Sequence, residues 1–425
     1  MSKYNHPAMM GGDPAFNKPY HLVKPLFPSL SDLNKGLKNL SKTRFLSNQG
    51  LYVKTLEKEL AEFFGVEYCA LFCNGTVAEM CLFKCLDISG RVLVPSFTFP
   101  STIQALHWIG IDTSFIDIDE KTLLMDHTEL NDVISNDIGA ILPVNLFGSC
   151  CQHDEISKIS NNYHIPLIYD SAQAFGTKYK GQNIGSLGDA EFFSFHATKV
   201  FQTGEGGAVV TNDKDLYLDV CKIRSFGFEE YLNFSELGMN GKMNEFSAII
   251  GLNLLKDFYD HLSYRSEMYD YYINSILDVK GMSPLDTRVI SNVDSNFSYF
   301  CVRVDPVDYG LNNRELYYAL LNENIISRCY FFPPVHRSSY YFNNYDSSKF
   351  NLPFTDMASY TNLVLPFHSE ISFDDIDKII FAIKKCQLHS KEIRKLISSK
   401  IPMNWDDLYK ERFVDPYDTL LPMTD

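Results

Sequence analysis

The chain contains no apolar stretch approaching the roughly 18 residues that would cross a bilayer, and its opening MSKYNHPAMMGGDPAFNKPYH lacks the apolar centre of a secretory leader. Paired CxxC units at zinc-finger spacing are missing as well. The ten cysteines lie mostly inside apolar runs such as EYCALFC (Cys69, Cys73) and MCLFKC (Cys81, Cys85). That placement argues against a cysteine metal framework and for buried thiols in a reducing cytosol; only the neighbours Cys150 and Cys151 leave a redox role open. Positive charge is scarce: 38 Lys and Arg face 53 Asp and Glu, a formal net charge of −15. Nucleic-acid binding rests on clustered Lys and Arg, so nucleic acid is not the expected partner, although backbone N–H groups can still hold a small anion. No internal repeat or low-complexity tract is present. We expect a soluble, cytoplasmic protein without membrane, nucleic-acid or metal partners.

What the chain does have is material for a core. Of 425 residues, 45% are hydrophobic and 14% aromatic, while 21% are charged. This length suggests a large domain with a smaller companion. Residues 1–45, rich in Pro, Gly, Asn and Lys, read as an irregular N-terminal arm. The segment LYVKTLEKELAEFFG then places Leu56, Leu60, Phe63 and Phe64 at helical spacing and stops at Gly65. YCALF, RVLVP, TSFIDID, GAILPVN, PLIYD, EFFSF and GGAVVT follow as strand candidates, the first five separated by helix-length segments. The rhythm predicts a mainly parallel sheet covered by helices on both faces, in a large domain over 46–255. MNEFSAIIGLNLLKDFYDHL leads out of it into a smaller α+β domain over 256–388. Its expected strands are FSYFCVRVD (297–305) and NIISRCYFF (324–332), and its closing helix FDDIDKIIFAIKKC (373–386). Residues 389–425 read as an appendage with no assigned chemistry.

In such a sheet ligands gather beyond the carboxyl ends of the strands. At one of these ends FCNGTVAEM sets Asn74, Gly75 and Thr76 at a strand-to-helix turn, either a plain helix cap or a phosphate cradle. At another, PLIYD ends on Asp170, which caps the next turn or faces a cationic heterocycle. EFFSFHATK ends with Ser194 and His196 and reaches Lys199, ahead of the small residues of GEGG. A lone lysine is normally a solvated charge. Together, however, a phosphate cradle, a carboxylate and a lysine at successive strand ends are what pyridoxal phosphate requires: phosphate donors, an acid for the ring nitrogen and an amine for the aldehyde.

The sequence resembles the DegT-type (DegT/DnrJ/EryC/StrS) nucleotide-sugar aminotransferases over roughly residues 30–388. CNGTVAEM is similar to the family's SGTxAL segment, VPSFTFPST to VPSxTFxAT, PVNLFG to PVHLYG, and YDSAQAFG to EDAAQAHG. GSLGDAEFFSFHATKVFQTGEGGAVVTND follows the family signature throughout, LGMNGKMNEFSAIIG resembles LGYNYRMTELQAAIG, and FFPPVH resembles HYPPLH. The resemblance implies a fold type I pyridoxal phosphate enzyme with a seven-stranded, mainly parallel sheet. It implies that Lys199 carries the cofactor covalently, alternating with pyridoxamine phosphate, and that Asp170 pairs with the pyridine nitrogen. Gln173 would lie beside the ring oxygen and Phe99 on the ring face. Gly75, Thr76 and Ser194 would hold the phosphate, with Asn240 reaching it from the other subunit of a homodimer. His196, Arg328, Tyr330 and His336 are candidates for the substrate, the last three for its diphosphate; alternatively their loop only packs the small domain. Asn145, Tyr169 and Lys242 stand where the family usually has His, an acidic residue and Arg.

The resemblance further implies transamination of a nucleotide-linked 4-keto-6-deoxyhexose, best matched by dTDP-4-keto-6-deoxyglucose, with L-glutamate as donor, for surface polysaccharide. Related dehydratases carry histidine in place of Lys199, and enzymes aminating carbon 3 more often have an SFYPxKNLGAxGDxG form. Amination at carbon 3 and a non-catalytic, cofactor-binding regulator are the alternatives.

Overall fold

The computed structural model describes residues 6–230, 232–345 and 350–397. Strands β1 (Tyr68–Phe72), β2 (Arg91–Pro95), β3 (Thr113–Ile116), β4 (Ile138–Ile141), β5 (Ile168–Asp170), β6 (Ala190–Ser194) and β7 (Gly207–Thr211) build the main sheet. Its order is β1-β7-β6-β5 on one side and β4-β2-β3 on the other. Parallel bridges Ile141–Leu167 and Val144–Asp170 join the halves, so seven strands form one surface. Only β7 runs against its neighbours. The unbroken apolar runs of β1, β2 and β7 match strands buried on both faces.

Helix α1 (Leu30–Thr43) falls within the arm expected to be irregular. Its signals are local: Ser29 caps it by accepting from Asp32 N, and Leu30, Leu33, Leu37 and Leu40 recur every three or four residues. Gly36 lets it lie close to Ile249, whose Cγ2 would be 2.8 Å from an added Cβ. Helix α2 (Leu51–Phe64) ends at Gly65 with φ +71°. Helices α3 (Gly75–Cys85) and α4 (Ser101–Trp108) follow β1 and β2, so their N-termini come to the carboxyl edge of the sheet. The expected connector is two helices, α5 (Glu245–Lys256) and α6 (Phe258–Ile276).

A second core gathers from Met268 to Ile397 around an antiparallel sheet of β8 (Met282–Pro284), β9 (Phe300–Val304) and β10 (Asn362–Leu365). Helices α7 (Asn313–Asn322) and α9 (Phe373–Leu388) belong to the same core, whereas α8 (Pro353–Thr361) packs Phe354 and Ala358 against the main one. NIISRCYFF is not a strand. It makes two isolated bridges, Tyr20–Ile325 and Arg328–Val364, and then leaves the sheet, because Pro333 and Pro334 offer no N–H for a ladder and Phe331 packs against Phe97 instead. Helix α10 (Ser390–Ile397) buries Ile393 and Ile397 and pairs Arg394 with Glu315, so the segment expected as an appendage begins inside this core; residues 398–425 lie outside those described. The arm is fastened here too. Ala8 N and Ala15 N donate to the buried Glu323 carboxylate at 2.8 and 3.0 Å, and Lys385 Nζ pairs with it at 2.8 Å.

Candidate active site

The cradle forms where α3 begins. Asn74 caps the helix by accepting from Val77 N at 2.9 Å, which leaves the Gly75 and Thr76 N–H groups pointing outward at a positive helix end. The backbone packs tightly beneath them. A Cβ at Gly75 would stand 3.0 Å from Ser194 Cβ, and one at Gly207 only 2.6 Å from Gly75 N. Two glycines therefore allow α3 to approach β6 and β7, bringing the Ser194 hydroxyl beside the helix end. An anion with several acceptor oxygens fits this donor set.

One strand along, Asp170 is buried at the end of β5. Its Oδ2 accepts from Thr102 Oγ1 at 2.8 Å and its Oδ1 from Ala172 N at 3.0 Å. Burial raises its pKa above the usual carboxylate value, against the pull of these bonds and of the Lys199 charge. A carboxylate held this way gains from a ligand N–H⁺, as a protonated pyridine supplies. Gln173 fastens its Oε1 to Phe147 N at 3.0 Å, which leaves the amide NH₂ as its donor. Thr98, Thr102 and Asp170 form a hydrogen-bonded chain that ties the Phe99 loop to β5. The Phe99 ring is 50% exposed and supplies a flat face at the cavity edge.

The unusual residues have their place behind Asp170. Asn145 donates to Ser171 Oγ at 3.0 Å and accepts from Cys151 N at 2.9 Å, while Ser171 donates to Glu191. Glu191 also accepts from Gly185 N and Leu187 N; burial nevertheless pushes it up to about 7. Tyr169 Oη lies 2.9 Å from His153 Nδ1. Burial keeps Cys150 and Cys151 well above the ordinary thiol range, which speaks against a reactive pair. Glu79, not singled out by its sequence context, is buried on α3 with Oε1 lacking a hydrogen-bond partner among the described residues. Burial, and then the charge of Asp170, raise its pKa well above the carboxylate range.

Lys199 follows β6 on a turn closed by Lys199 N donating to His196 O at 2.9 Å. Burial lowers its ammonium below the ordinary lysine range, opposed by Tyr330 and Asp170. Arg328 Nη1 donates to Tyr330 Oη at 3.1 Å. Tyr330 and Arg328 line a cavity of about 1050 Å³ together with Phe99, Arg314 and Ser327. No described residue lining it is an Asp or Glu.

The remaining candidates lie elsewhere. His336 is fully buried: Ser96 Oγ is 2.7 Å from its Nδ1 and accepts its backbone N–H, and Nε2 is 3.2 Å from Asp356 Oδ1. It does not line the cavity; it packs the loop against β2. His196 is exposed, with Nδ1 2.8 Å from Thr198 Oγ1, and is also outside the cavity lining. Asn240 is exposed and accepts from Lys242 Nζ at 2.6 Å. Lys242 lies over the Phe226 ring at 4.1 Å. Thr102, Arg314, Ser327 and Glu79 were not identified from sequence, although Thr102 lies within the VPSFTFPST match.

Lysine, buried aspartate and anion cradle on this seven-stranded frame define a pyridoxal phosphate-dependent transferase of fold type I, and the residues present fit the cofactor. The chain belongs to the DegT/DnrJ/EryC1/StrS aminotransferase family, whose sequence profile matches residues 31–384. It is 34% identical over 371 residues to a Shigella dysenteriae protein named dTDP-4-amino-4,6-dideoxy-D-glucose transaminase, covering 87% of this chain and 99% of that one. An Escherichia coli protein of the same name is 30% identical over 364 residues, covering 85% and 97%. Among solved structures, DesI in the presence of its TDP-sugar product superposes with a TM-score of 0.86 at 30% identity, covering 93% of this chain and 99% of that one. The protein is an aminotransferase that depends on pyridoxal phosphate.

Proposed function

We propose that the enzyme moves the amino group of L-glutamate to carbon 4 of dTDP-4-keto-6-deoxyglucose, making a 4-amino-4,6-dideoxy sugar nucleotide for surface polysaccharide in the cytoplasm. Lys199, following β6 with the buried Asp170 at the end of the neighbouring β5, is the observation that carries this reading. The names of the Shigella and E. coli relatives support the sugar, and DesI, solved in the presence of its TDP-sugar product, supports the nucleotide. Bound pyridoxal phosphate supplies an aldehyde that takes up the amino group and a ring that withdraws electrons from the reacting carbon. The chain provides the rest. Lys199 Nζ, kept below the usual lysine range, takes the proton from the donor's α-carbon and in the second half-reaction returns one to sugar carbon 4. Asp170 holds the proton on the ring nitrogen; the Gly75 and Thr76 N–H groups, Thr76 Oγ1 and Ser194 Oγ hold the phosphate. Alternating halves predict ping-pong kinetics.

A homodimer is part of this proposal. Asn240 is exposed next to a segment whose Leu232, Phe234 and Leu237 are 68%, 62% and 77% exposed, an apolar surface suited to a second copy. Across that contact Asn240 reaches the partner's phosphate. The test is a screen of dTDP-, UDP- and GDP-linked keto sugars with glutamate, reading 2-oxoglutarate, followed by product NMR. Nitrogen on carbon 4 of a dTDP sugar supports the assignment; nitrogen on carbon 3, or no turnover with any 4-keto sugar, overturns it.

A further inference from the structure

We propose that Glu191 is a positioning residue for Asp170: as an anion, reached through Ser171, it holds the end of β5 in the arrangement that receives the cofactor, and cofactor affinity falls when it takes up a proton. This rests on the reading of Asp170 as the partner of the ring nitrogen. Glu191 lies on β6 opposite Tyr169 of β5, and Phe192 lies opposite Asp170. Alternation along the two strands sends Asp170 to one face of the sheet and leaves Tyr169, Ser171 and Glu191 on the other. Asn145, Ser171 and Glu191 are each 0% exposed, so the group sits behind Asp170 and is closed off from solvent.

The hydrogen bonds of this group have a fixed direction. Cys151 N donates to Asn145 Oδ1 at 2.9 Å, which turns the Asn145 amide so that Nδ2 donates to Ser171 Oγ at 3.0 Å. The Ser171 hydroxyl in turn donates to Glu191 Oε2. At the far end Gly185 N and Leu187 N donate to Glu191 Oε1 at 2.8 and 2.7 Å. Glu191 thus accepts from three donors, which suits a carboxylate. A proton on Glu191 must go to Oε2, because the two N–H groups occupy Oε1, and the Ser171 hydrogen then loses its acceptor. That loss reaches Asp170 through the backbone. Asn145 N donates to Asp170 O at 2.8 Å while its side chain holds Ser171, so one residue grips both members of the Asp170–Ser171 pair. Tyr169 on β5 and Cys150 in the loop after β4 are the titratable groups facing Glu191, and burial keeps both neutral; β7 presents Val210. Burial pushes Glu191 up to about 7, so its charge changes across neutral pH.

The test is fluorescence titration of the apoprotein with pyridoxal phosphate between about pH 6 and about pH 8.5, for wild type, Glu191→Gln, Ser171→Ala and Asp170→Asn. Glu191→Gln and Ser171→Ala share with wild type the titrations of Lys199 and of the cofactor phosphate, so the ratio of dissociation constants isolates Glu191. Glu191→Gln keeps the shape and stays uncharged. Its dissociation constant relative to wild type should rise by about threefold or more from the acid to the alkaline end of the range, because only wild type gains the anion there. Ser171→Ala cuts the link and should shift the ratio in the same direction; being a minimal truncation, it carries the test if Glu191→Gln misfolds. A ratio that stays constant with pH in either folded variant, at whatever level, shows a role in packing alone and overturns the proposal. Asp170→Asn should weaken binding at every pH; wild-type affinity in that variant overturns the reading of Asp170, and the role of Glu191 with it.

Discussion

Thr102 Oγ1 donates to Asp170 Oδ2 at 2.8 Å, joining the first turn of α4 to the end of β5. The hydroxyl steadies the carboxylate in its charged form at a site where burial works in the opposite direction. Thr102→Val keeps the shape and removes the donor. Loss of one hydrogen bond to a charged group costs about 1.5–3 kcal/mol, so cofactor affinity should fall roughly ten- to a hundredfold with little change in folding. Fluorescence titration of the apoprotein with pyridoxal phosphate measures it; unchanged affinity would show that the bond does not tune Asp170.

In the proposed mechanism, removing the amine at 199 leaves no base for the proton transfer. Lys199→Ala should lose about 10²–10⁴-fold in rate or more and the visible band of the lysine-bound cofactor. Because Lys199 must be neutral to accept a proton, its lowered pKa should place the rising acid limb of the rate profile below the ordinary lysine range. An acid limb near pH 10.5 would contradict this.

Glu79 offers a pH signature independent of turnover. Its native pKa lies above the unfolded value near 4.5, so the native state binds the proton more tightly. The associated stability is therefore present below pH 4.5 and lost as pH rises through the native pKa, at about 1.4 kcal/mol per unit between the two. Glu79→Gln should make the apoprotein more stable than wild type at pH 8, with the difference shrinking towards pH 4. Parallel melting curves for the two proteins across that range would refute the claim.

The buried pair Glu323–Lys385 secures the N-terminal arm. Lys385→Met leaves the Glu323 carboxylate, among the described residues, with the Ala8 and Ala15 N–H groups alone, and breaking a buried pair costs about 3–5 kcal/mol. We expect a marked fall in melting temperature and faster proteolysis of the arm; retention of wild-type stability would count against the clasp.

Gly75 tests the close approach beneath the cradle. Gly75→Ala puts a methyl 3.0 Å from Ser194 Cβ, and the neighbouring contacts involve backbone that yields poorly. Phosphate affinity should fall by about tenfold, read as displacement of cofactor by inorganic phosphate, while wild-type affinity would show that the cradle widens freely.

Local chemistry made much of this molecule legible. Apolar runs of strand length marked all seven strands of the main sheet, Gly65 marked the end of α2, and strand-end motifs marked Gly75, Asp170 and Lys199, because these features depend on neighbours in the chain. Helix α1 was legible too, in Ser29 and its spaced leucines, but the Pro- and Gly-rich residues before it obscured that signal. The companions of the site were different. Thr102 meets Asp170 across 68 positions, and Arg328 pairs with Val364 only through one bridge. His336, which the motif placed among ligand contacts, is turned into the core by Ser96, 240 positions away. Sequence by itself determined the strands and set Lys199 and Asp170 at their ends. Which polar groups face the cavity, which are spent on packing, and which carboxyls lose their charge was decided by tertiary burial, because desolvation and hydrogen bonding depend on what the fold brings into contact.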